Sequence, residues 1–501
     1  MNHNFTRLLS RADPLYSILG QGIWTVEDDS STDEENPEKI KEDYVDSDST
    51  ELQGGTSSAQ ATLLGRNEVK HNYVNVWKHI RNREMGLDTK SKRSMGFSEP
   101  EKSRVFSRYL PNAVKEVVQN SAKVFCGSYS QDGSVFMSAS QDCHIKLYET
   151  SSGKLKEFQD VVAQNVGWSI VDTAYSHDQR HLIYSSWSSD IYLCDIAGGY
   201  ERSHVALHMR PSIHSFCAFS IKFSQDDNEI LTGSNDGSIY IYNRGCGRRT
   251  LRIDAHSDDV NTVCFCDNTS QLLFSGSDDG VCKVWDRRTL NEERPKPVGI
   301  FAGHACGIAC IDSKGDGRYL ITSSKDQSIK LWDMRKFSDA KGKWAGARAV
   351  ATNQYWDYRW EGLPKKFQKE VKLKGDVSVM TYRGHSLLRC LSRAYFSPLE
   401  TTGQEYIYTG SADGCVYIYD LHSGKLARKL YGHNGIVRDV SWHPSKPYIT
   451  SSSWDCTVKC WQYTRDKDEI ERSEKEIAQE KLEKQTKRPK WHPKSVFLYD
   501  F

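Results

Sequence analysis

Along most of this chain apolar and polar residues alternate at a period of two, and the alternation returns in the same form seven times. The clearest copy is Ser-Lys-Asp-Gln-Ser-Ile-Lys-Leu-Trp-Asp, from Ser324 to Asp333. Thr322 to Ser324 end one strand, Asp326-Gln327 make a tight turn, and Ile329 and Leu331 alternate inward on a second strand before Trp332. The other copies end at Tyr148, Cys194, Tyr242, Trp285, Tyr419 and Trp461. Three of the turns are Asp-Gly, at Asp236-Gly237, Asp279-Gly280 and Asp413-Gly414, a dipeptide that tolerates the positive backbone angles of a two-residue hairpin.

Copies spaced by about 42 to 48 residues, with one interval (Trp332 to Tyr419) nearly double, have the period of blades in a ring of small sheets. The second copy is degenerate, with Tyr184, Ser188 and Cys194 where Thr/Ser, Asp and Trp would stand, but Ile191 and Leu193 keep its alternation. The expected fold class is all-β, a seven-bladed β-propeller closed so that no long strand edge is exposed. Residues 1–68 are expected to be a mostly disordered acidic region and 69–118 a helical extension. The propeller is expected over 119–465, with an insertion at 336–381, followed by a charged tail over 466–501.

Four copies are preceded by a His, mostly as Gly-His: His256, Gly303-His304, Gly384-His385 and Gly432-His433. With the Trp-Asp endings, this text resembles the WD-repeat family, in which such a His joins a buried hydrogen-bond chain with a strand Ser/Thr, the turn Asp and the Trp. The resemblance implies three structural sets: His256, Ser275, Asp279 and Trp285; His304, Thr322, Asp326 and Trp332; His433, Ser451, Asp455 and Trp461. A fourth, His385, Thr409, Asp413 and Tyr419, has a phenol for the indole. A Ser-His-Asp set also fits a catalytic triad. Its recurrence in register favours the structural role, satisfying polar groups inside a sheet core.

Composition narrows the class. With 67 basic against 66 acidic residues the chain has no global charge for nucleic acid or a membrane surface. No apolar run approaches a membrane span, and Asn2, His3 and Asn4 do not open a signal peptide, so an intracellular protein is expected. The 14 cysteines lack any Cys-x-x-Cys, and the nearest pairs, Cys264/Cys266, Cys306/Cys310 and Cys456/Cys460, have the wrong spacing for common zinc sites. Reduced thiols without a metal or other cofactor are expected.

Outside the repeats the text changes. Glu27 to Glu51 is too acidic and too poor in apolar residues to bury a core. In the following basic, aromatic stretch, Tyr73, Trp77 and Ile80 follow helical spacing. A capping-box pattern, Ser98 with Glu101, starts a second helix that runs through Val105, Phe106 and Tyr109 to a stop at Pro111. Such helices bury their apolar stripe either on the propeller's rim or in a partner's groove. The interval after Trp332 holds Trp344, Trp356, Trp360 and Lys365, Lys366, Lys369, Lys372 and Lys374, which suit an interaction surface. Its Trp356-Asp357 is a decoy, with no turn ahead of it at the right distance. Lys-Arg-Pro-Lys at 487–490 resembles a nuclear-localisation cluster.

Two consecutive copies end in Trp-Asp-x-Arg: Trp285, Asp286 and Arg288; Trp332, Asp333 and Arg335. Here the chain resembles the WD-repeat substrate receptors of cullin-4 RING ubiquitin ligases, and within them the group of DDB- and cullin-4-associated factor 11, also called WD repeat protein 23. Further shared text is Trp187 in Ser-Ser-Trp-Ser, Cys282 to Arg288, Trp356 to Trp360, and Val437 to Pro444. The resemblance implies a non-enzymatic adaptor. Arg288 and Arg335, with helices around Trp77 and Phe106, would dock to the damage-specific DNA-binding protein adaptor and through it to cullin-4. The channel face and the insertion would hold a protein substrate for ubiquitination and proteasomal degradation. The group implies stress-response basic-leucine-zipper factors as substrates, an oxidative-stress role, and residence in nucleus and cytoplasm. The alternative is a WD-repeat scaffold or histone-tail reader unrelated to ubiquitin, favoured by acidic channel residues that bind Lys-rich peptides.

Overall fold

The structure, a computed structural model, describes residues 44–46, 105–196, 204–211, 215–353, 355–368 and 371–465. Seven four-stranded antiparallel sheets follow one another along the described chain. Their innermost strands are Val124–Tyr129 (blade 1), Asp172–Tyr175 (blade 2), Ala218–Phe223 (blade 3), Val260–Phe265 (blade 4), Ile308–Ser313 (blade 5), Ala394–Phe396 (blade 6) and Val437–Trp442 (blade 7). Each recurring phrase is the turn and third strand of its blade, as in Ser328–Asp333 of blade 5.

That strand is buried at every position, Lys330 included, rather than on alternate faces. The reason is packing: blades stack face to face, so both faces of a middle strand are covered. Phe274, Val284 and Phe301 of blade 4 meet Ile308, Leu320 and Trp332 of blade 5 in one apolar cluster. Blade 2 is built like the rest despite its degenerate text, with Tyr184 stacked on Tyr192 at 5.4 Å in its core.

The ring closes through a strand from ahead of the repeats. Ala113–Gln119 pairs antiparallel with Thr457–Gln462 as the outer strand of blade 7. Of the helical extension expected over 69–118, residues 113–118 are instead strand, favoured by Val114, Val117 and Val118. Just before it, Ser107–Tyr109 is a single 3-10 turn, and the chain straightens at Leu110, ahead of Pro111. Leu110 is buried against Tyr406, Trp442 and Trp461. Trp77 and the capping box at Ser98 lie outside the described residues.

In every blade the turn between second and third strands lies at one end of the ring, the turn end, and the link from third to fourth strand at the other, the link end. The insertion occupies the link of blade 5, between Ser328–Asp333 and the fourth strand Met380–Arg383. It carries helix α1, Ala340–Asn353, a four-residue helix α2, Lys365–Gln368, and a strand Val371–Leu373. That strand pairs with Tyr44–Asp46, inside the stretch expected to be disordered, Val45 standing opposite Lys372. Tyr44 and Val45 are strand formers within the acidic run, and Val371–Leu373 offers them a free edge. The chain from Tyr463 onward is a separate unit, and the tail over 466–501 lies outside the described residues.

Candidate functional site

Three His sets stand fully assembled. His256 bonds Asp279 through Nδ1 (2.8 Å) and Ser275 through Nε2 (2.7 Å), and the Trp285 indole donates to the same Ser275 hydroxyl at 2.9 Å. His304 joins Asp326 (3.0 Å) and Thr322 (2.7 Å), with Trp332 donating to Thr322 at 2.7 Å. His433 joins Asp455 (2.9 Å) and Ser451 (2.7 Å), with Trp461 donating to Ser451 at 2.7 Å. Burial holds His256 and His433 below the ordinary imidazole range despite their carboxylate partners. Each hydroxyl is buried and already accepts an indole N–H, so it is not placed to attack anything.

The fourth set does not assemble. The Tyr419 hydroxyl accepts the backbone N–H of His385 at 3.1 Å and meets its Nδ1 at 3.2 Å, while His385 Nε2 is buried without a partner. Thr409 bonds the Arg393 carbonyl, and Asp413 is taken by Tyr417 (2.8 Å) and Lys429 (2.9 Å). A phenol carries its polar atom at the tip of the ring, so it reaches past the strand hydroxyl straight to the histidine.

Around the channel a belt that sequence reasoning missed links the innermost strands. Ile221 N–H donates to Asp172 (2.8 Å), Val263 to Ser220 (3.3 Å), Ile311 to Thr262 (3.1 Å), Phe396 to Asp312 (2.8 Å) and Gly127 to Asp439 (3.1 Å). Each acceptor sits one blade back from its donor. Innermost strands have no neighbour on the channel side, and in five blades a register irregularity at the strand's start frees a side chain to bridge the gap. Arg393 neutralises Asp172 and Asp439 at 2.7 and 3.1 Å. Burial pushes Asp312 up to about 6. These three acids, Asp172, Asp312 and Asp439, are thus engaged internally.

The link end holds the two sequence-predicted arginines. Arg288 grips its own repeat's Asp286 with Nε at 3.0 Å and Nη2 at 2.7 Å. Arg335 grips Asp333 in the same way, Nε at 2.9 Å and Nη2 at 2.5 Å. Hydrogen bonds from the guanidinium hold each carboxyl below the usual carboxylate range. The aspartates are nearly covered while the arginine side chains are 69% and 55% exposed. The fork pins each guanidinium and leaves three of its five N–H donors for a partner. Trp285 and Trp332 are buried in their sets and offer a partner nothing directly. Phe106, half-buried, reaches the same end, because Ala113 starts its strand opposite Gln462 at the end of blade 7's third strand.

The insertion crosses to the opposite end. Ser338 bonds Ile300 and Ala302 on the outer strand of blade 4, and α1 then lies against that blade. Its buried positions are Gly342, Ala345, Gly346, Ala349 and Asn353, a stripe of small residues at helical spacing that allows close approach. Asn353 bonds the Ala305 carbonyl at 2.8 Å, beyond the turn end of blade 4. There Trp356 packs on Phe367 at 5.2 Å, and Tyr358 lies under the Lys325 ammonium at 4.7 Å. Asp357 and Arg359 repeat the Asp-x-Arg fork, at 2.9 Å twice, away from the other two. The dipeptide is off the propeller strands, yet it builds the same local device. Trp344, Tyr355 and Trp360 stay exposed on the insertion.

Among the described residues no group of His, Cys, Asp or Glu could hold a metal ion. No disulfide joins the 14 cysteines, and burial pushes thiols such as Cys264 and Cys266 up to about 12.

Comparisons with known proteins agree with this architecture. The family described as WD domain, G-beta repeat matches residues 113–149, 210–243, 247–286, 295–333, 376–420 and 424–462. Blade 2, with its altered Tyr184, Ser188 and Cys194, lies outside these segments. The chain is 44% identical over 381 residues to the LEC14B protein of Lithospermum erythrorhizon, covering 73% of this chain and 78% of that protein. It is 40% identical over 385 residues to the DDB1- and CUL4-associated factor 11 homolog of Caenorhabditis elegans, covering 74% and 66%. It is 37% identical over 379 residues to the Caenorhabditis briggsae protein of the same name, covering 72% and 67%.

Proposed function

Because the chain belongs to the family of WD-repeat proteins that includes the LEC14B proteins and the DDB1- and CUL4-associated factor 11 homologues, we propose that it is a non-enzymatic substrate receptor of a cullin-4 RING ubiquitin ligase. The observation that carries the reading is the meeting of three features at one end of the ring: the forked Arg288, the forked Arg335 and the arrival of the N-terminal extension at Phe106. That end docks on the damage-specific DNA-binding protein adaptor. Guanidinium groups pinned on neighbouring blades pair with carboxylates at little entropic cost, and the extension adds apolar contact.

The substrate then lies at the turn end, where the insertion presents aromatic and basic side chains. Stress-response basic-leucine-zipper factors are the substrates we propose, with an oxidative-stress role and residence in nucleus and cytoplasm. A reader of Lys-rich histone tails fits less well, since the channel carboxylates Asp172 and Asp439 are already neutralised by Arg393.

The test is quantitative mass spectrometry of proteins co-purifying with the chain and with Arg288→Ala/Arg335→Ala. Adaptor and cullin recovered with the first and lost with the second, at unchanged melting temperature, is the expected result. Recovery of neither with the wild-type chain overturns the reading.

A further inference from the structure

At the turn end, blades 7, 1 and 2 surround the channel mouth with aromatic rings. Phe125, second in the first strand of blade 1, packs edge-on against Trp168 at 5.4 Å and tilted against Trp454 at 5.5 Å. Trp187, in the turn of blade 2, packs on Phe219 of blade 3 at 5.9 Å. Trp168 is 44% exposed although it sits in a connection between two blades, where a polar residue would serve the fold as well. The Trp454 indole N–H has no hydrogen-bond partner.

Two cations stand at this cluster. The exposed Lys123 places its ammonium over the Trp454 ring at 4.9 Å, and the Arg438 guanidinium lies over Phe125 at 5.2 Å. Arg438 donates to the carbonyls of Phe125 and Val171, and neither it nor Lys123 has an ion pair with a carboxylate among the described residues. The nearest acids in the same turns are engaged elsewhere: Asp142 by Ser121 and Ser140, Asp455 by His433 and Thr457. Arg393 differs, being matched by two aspartates. Positive charge with no carboxylate partner, standing over the rings that pack beside the exposed Trp168, selects a ligand that brings a carboxylate and a flat apolar group together.

We infer that this mouth is a peptide-anchoring site, taking an extended acidic segment of a partner protein with an aromatic side chain stacked on Trp168 and a neighbouring carboxylate against Lys123 and Arg438. The inference deepens the receptor reading, on which it rests for the peptide's biological meaning. Two isolated cations are too few to track a phosphate backbone, which sets a single-stranded nucleic acid behind a peptide.

Fluorescence anisotropy of the full-length chain tests it, with labelled Gly/Ser nonapeptides carrying a central Phe-Glu, Phe-Lys or Ala-Glu and amidated ends. A further peptide has no Glu and ends in Phe with a free carboxylate. The Phe-Glu peptide should bind at least about tenfold more tightly than Phe-Lys or Ala-Glu. Binding should weaken about tenfold in Trp168→Ala and in Lys123→Glu, both exposed sites whose melting temperature should not move. Tighter binding of the free-ended peptide assigns the carboxylate to a chain terminus, and tighter binding of Phe-Glu to a side chain. Equal binding of Phe-Glu and Phe-Lys, indifference to Trp168→Ala, no binding of any peptide, or tighter binding of a deoxythymidine decamer each overturns the proposal. Adaptor recovery from the same preparations reports separately on the receptor reading.

Discussion

Arg393, at the head of blade 6, reaches across the channel and donates Nη2 to Oδ1 of Asp172 in blade 2 at 2.7 Å. Its other nitrogen holds Asp439 of blade 7 at 3.1 Å. Both carboxylates are 2% exposed and each also accepts a strand N–H of the next blade. Burial alone would raise the Asp172 carboxyl, but Arg393 and Lys222 more than offset it and hold it below the usual range. Arg393→Met therefore leaves the buried Asp439 without its cation and Asp172 with Lys222 alone, and should cost about 3–5 kcal/mol in urea unfolding. Adding Asp439→Asn should restore part of that loss. A change under about 1 kcal/mol would mean that the belt survives without its cation.

His385 is the histidine whose set failed to form, and its chemistry shows in acid. Burial, with Arg383 nearby, lowers it to about 4 from an ordinary 6.5. Above pH 6.5 folded and unfolded states both hold it neutral and it has no effect. Below 6.5 the unfolded chain takes up the proton first, so stability drains away as pH falls towards about 4. At pH 5 that loss is on the order of 2 kcal/mol. His385→Leu removes the titration, so its stability relative to wild type should improve by about that amount between pH 7.5 and pH 5. Parallel pH profiles of the two proteins would count against the assignment.

Much of this was legible because each repeat states its structure twice, once in alternation and once in the His, Ser/Thr, Asp and Trp that satisfy one another. Where Trp285, Trp332 and Trp461 stand, the sets assembled. Where Tyr419 replaces Trp, the residue types were right and the reach was not, a matter of where the polar atom sits on a ring. The belt through Asp172 and Asp439 had no signature, since its partners lie one blade away and hundreds of residues apart in the case of Gly127 and Asp439. Helix α1 was readable in principle from Gly342, Ala345, Gly346 and Ala349, but small residues announce a close neighbour without naming it. The closing strand at 113–119 was hidden by the helical text just ahead of it.

The insertion is fastened to blade 5 by a buried ion pair, Lys330 Nζ to Asp376 Oδ2 at 2.6 Å, with side chains 3% and 0% exposed. In blade 4 the equivalent Lys283 donates to a backbone carbonyl, that of Ala255. The Asp376 carboxylate lies 2.6 Å from where a Cβ on Gly303 would stand, so the glycine of that Gly-His pair makes room for it. Asp376→Asn should cost about 3–5 kcal/mol by stranding the lysine. Asp376 is the insertion's half of the pair, so the insertion loosens first and limited proteolysis between 336 and 381 should accelerate before global unfolding does. Cleavage at an unchanged rate would show that the helix α1 contacts hold the insertion alone.

Closure of the ring by Ala113–Gln119 makes the fold depend on a segment outside the repeats. Its ladder runs from Ala113 opposite Gln462 to Gln119 opposite Thr457. Val118 and the preceding Leu110 cover apolar surface of blades 1, 6 and 7. A chain beginning at residue 120 leaves the third strand of blade 7 as a bare edge and uncovers Trp461, the combination that invites edge-to-edge association. A chain beginning at residue 105 keeps the strand. The shorter chain should melt more than about 5 °C lower than the longer one and form concentration-dependent oligomers in sedimentation. If the chain from 120 melts with the chain from 105 and stays monomeric, the three remaining strands of blade 7 close the ring unaided.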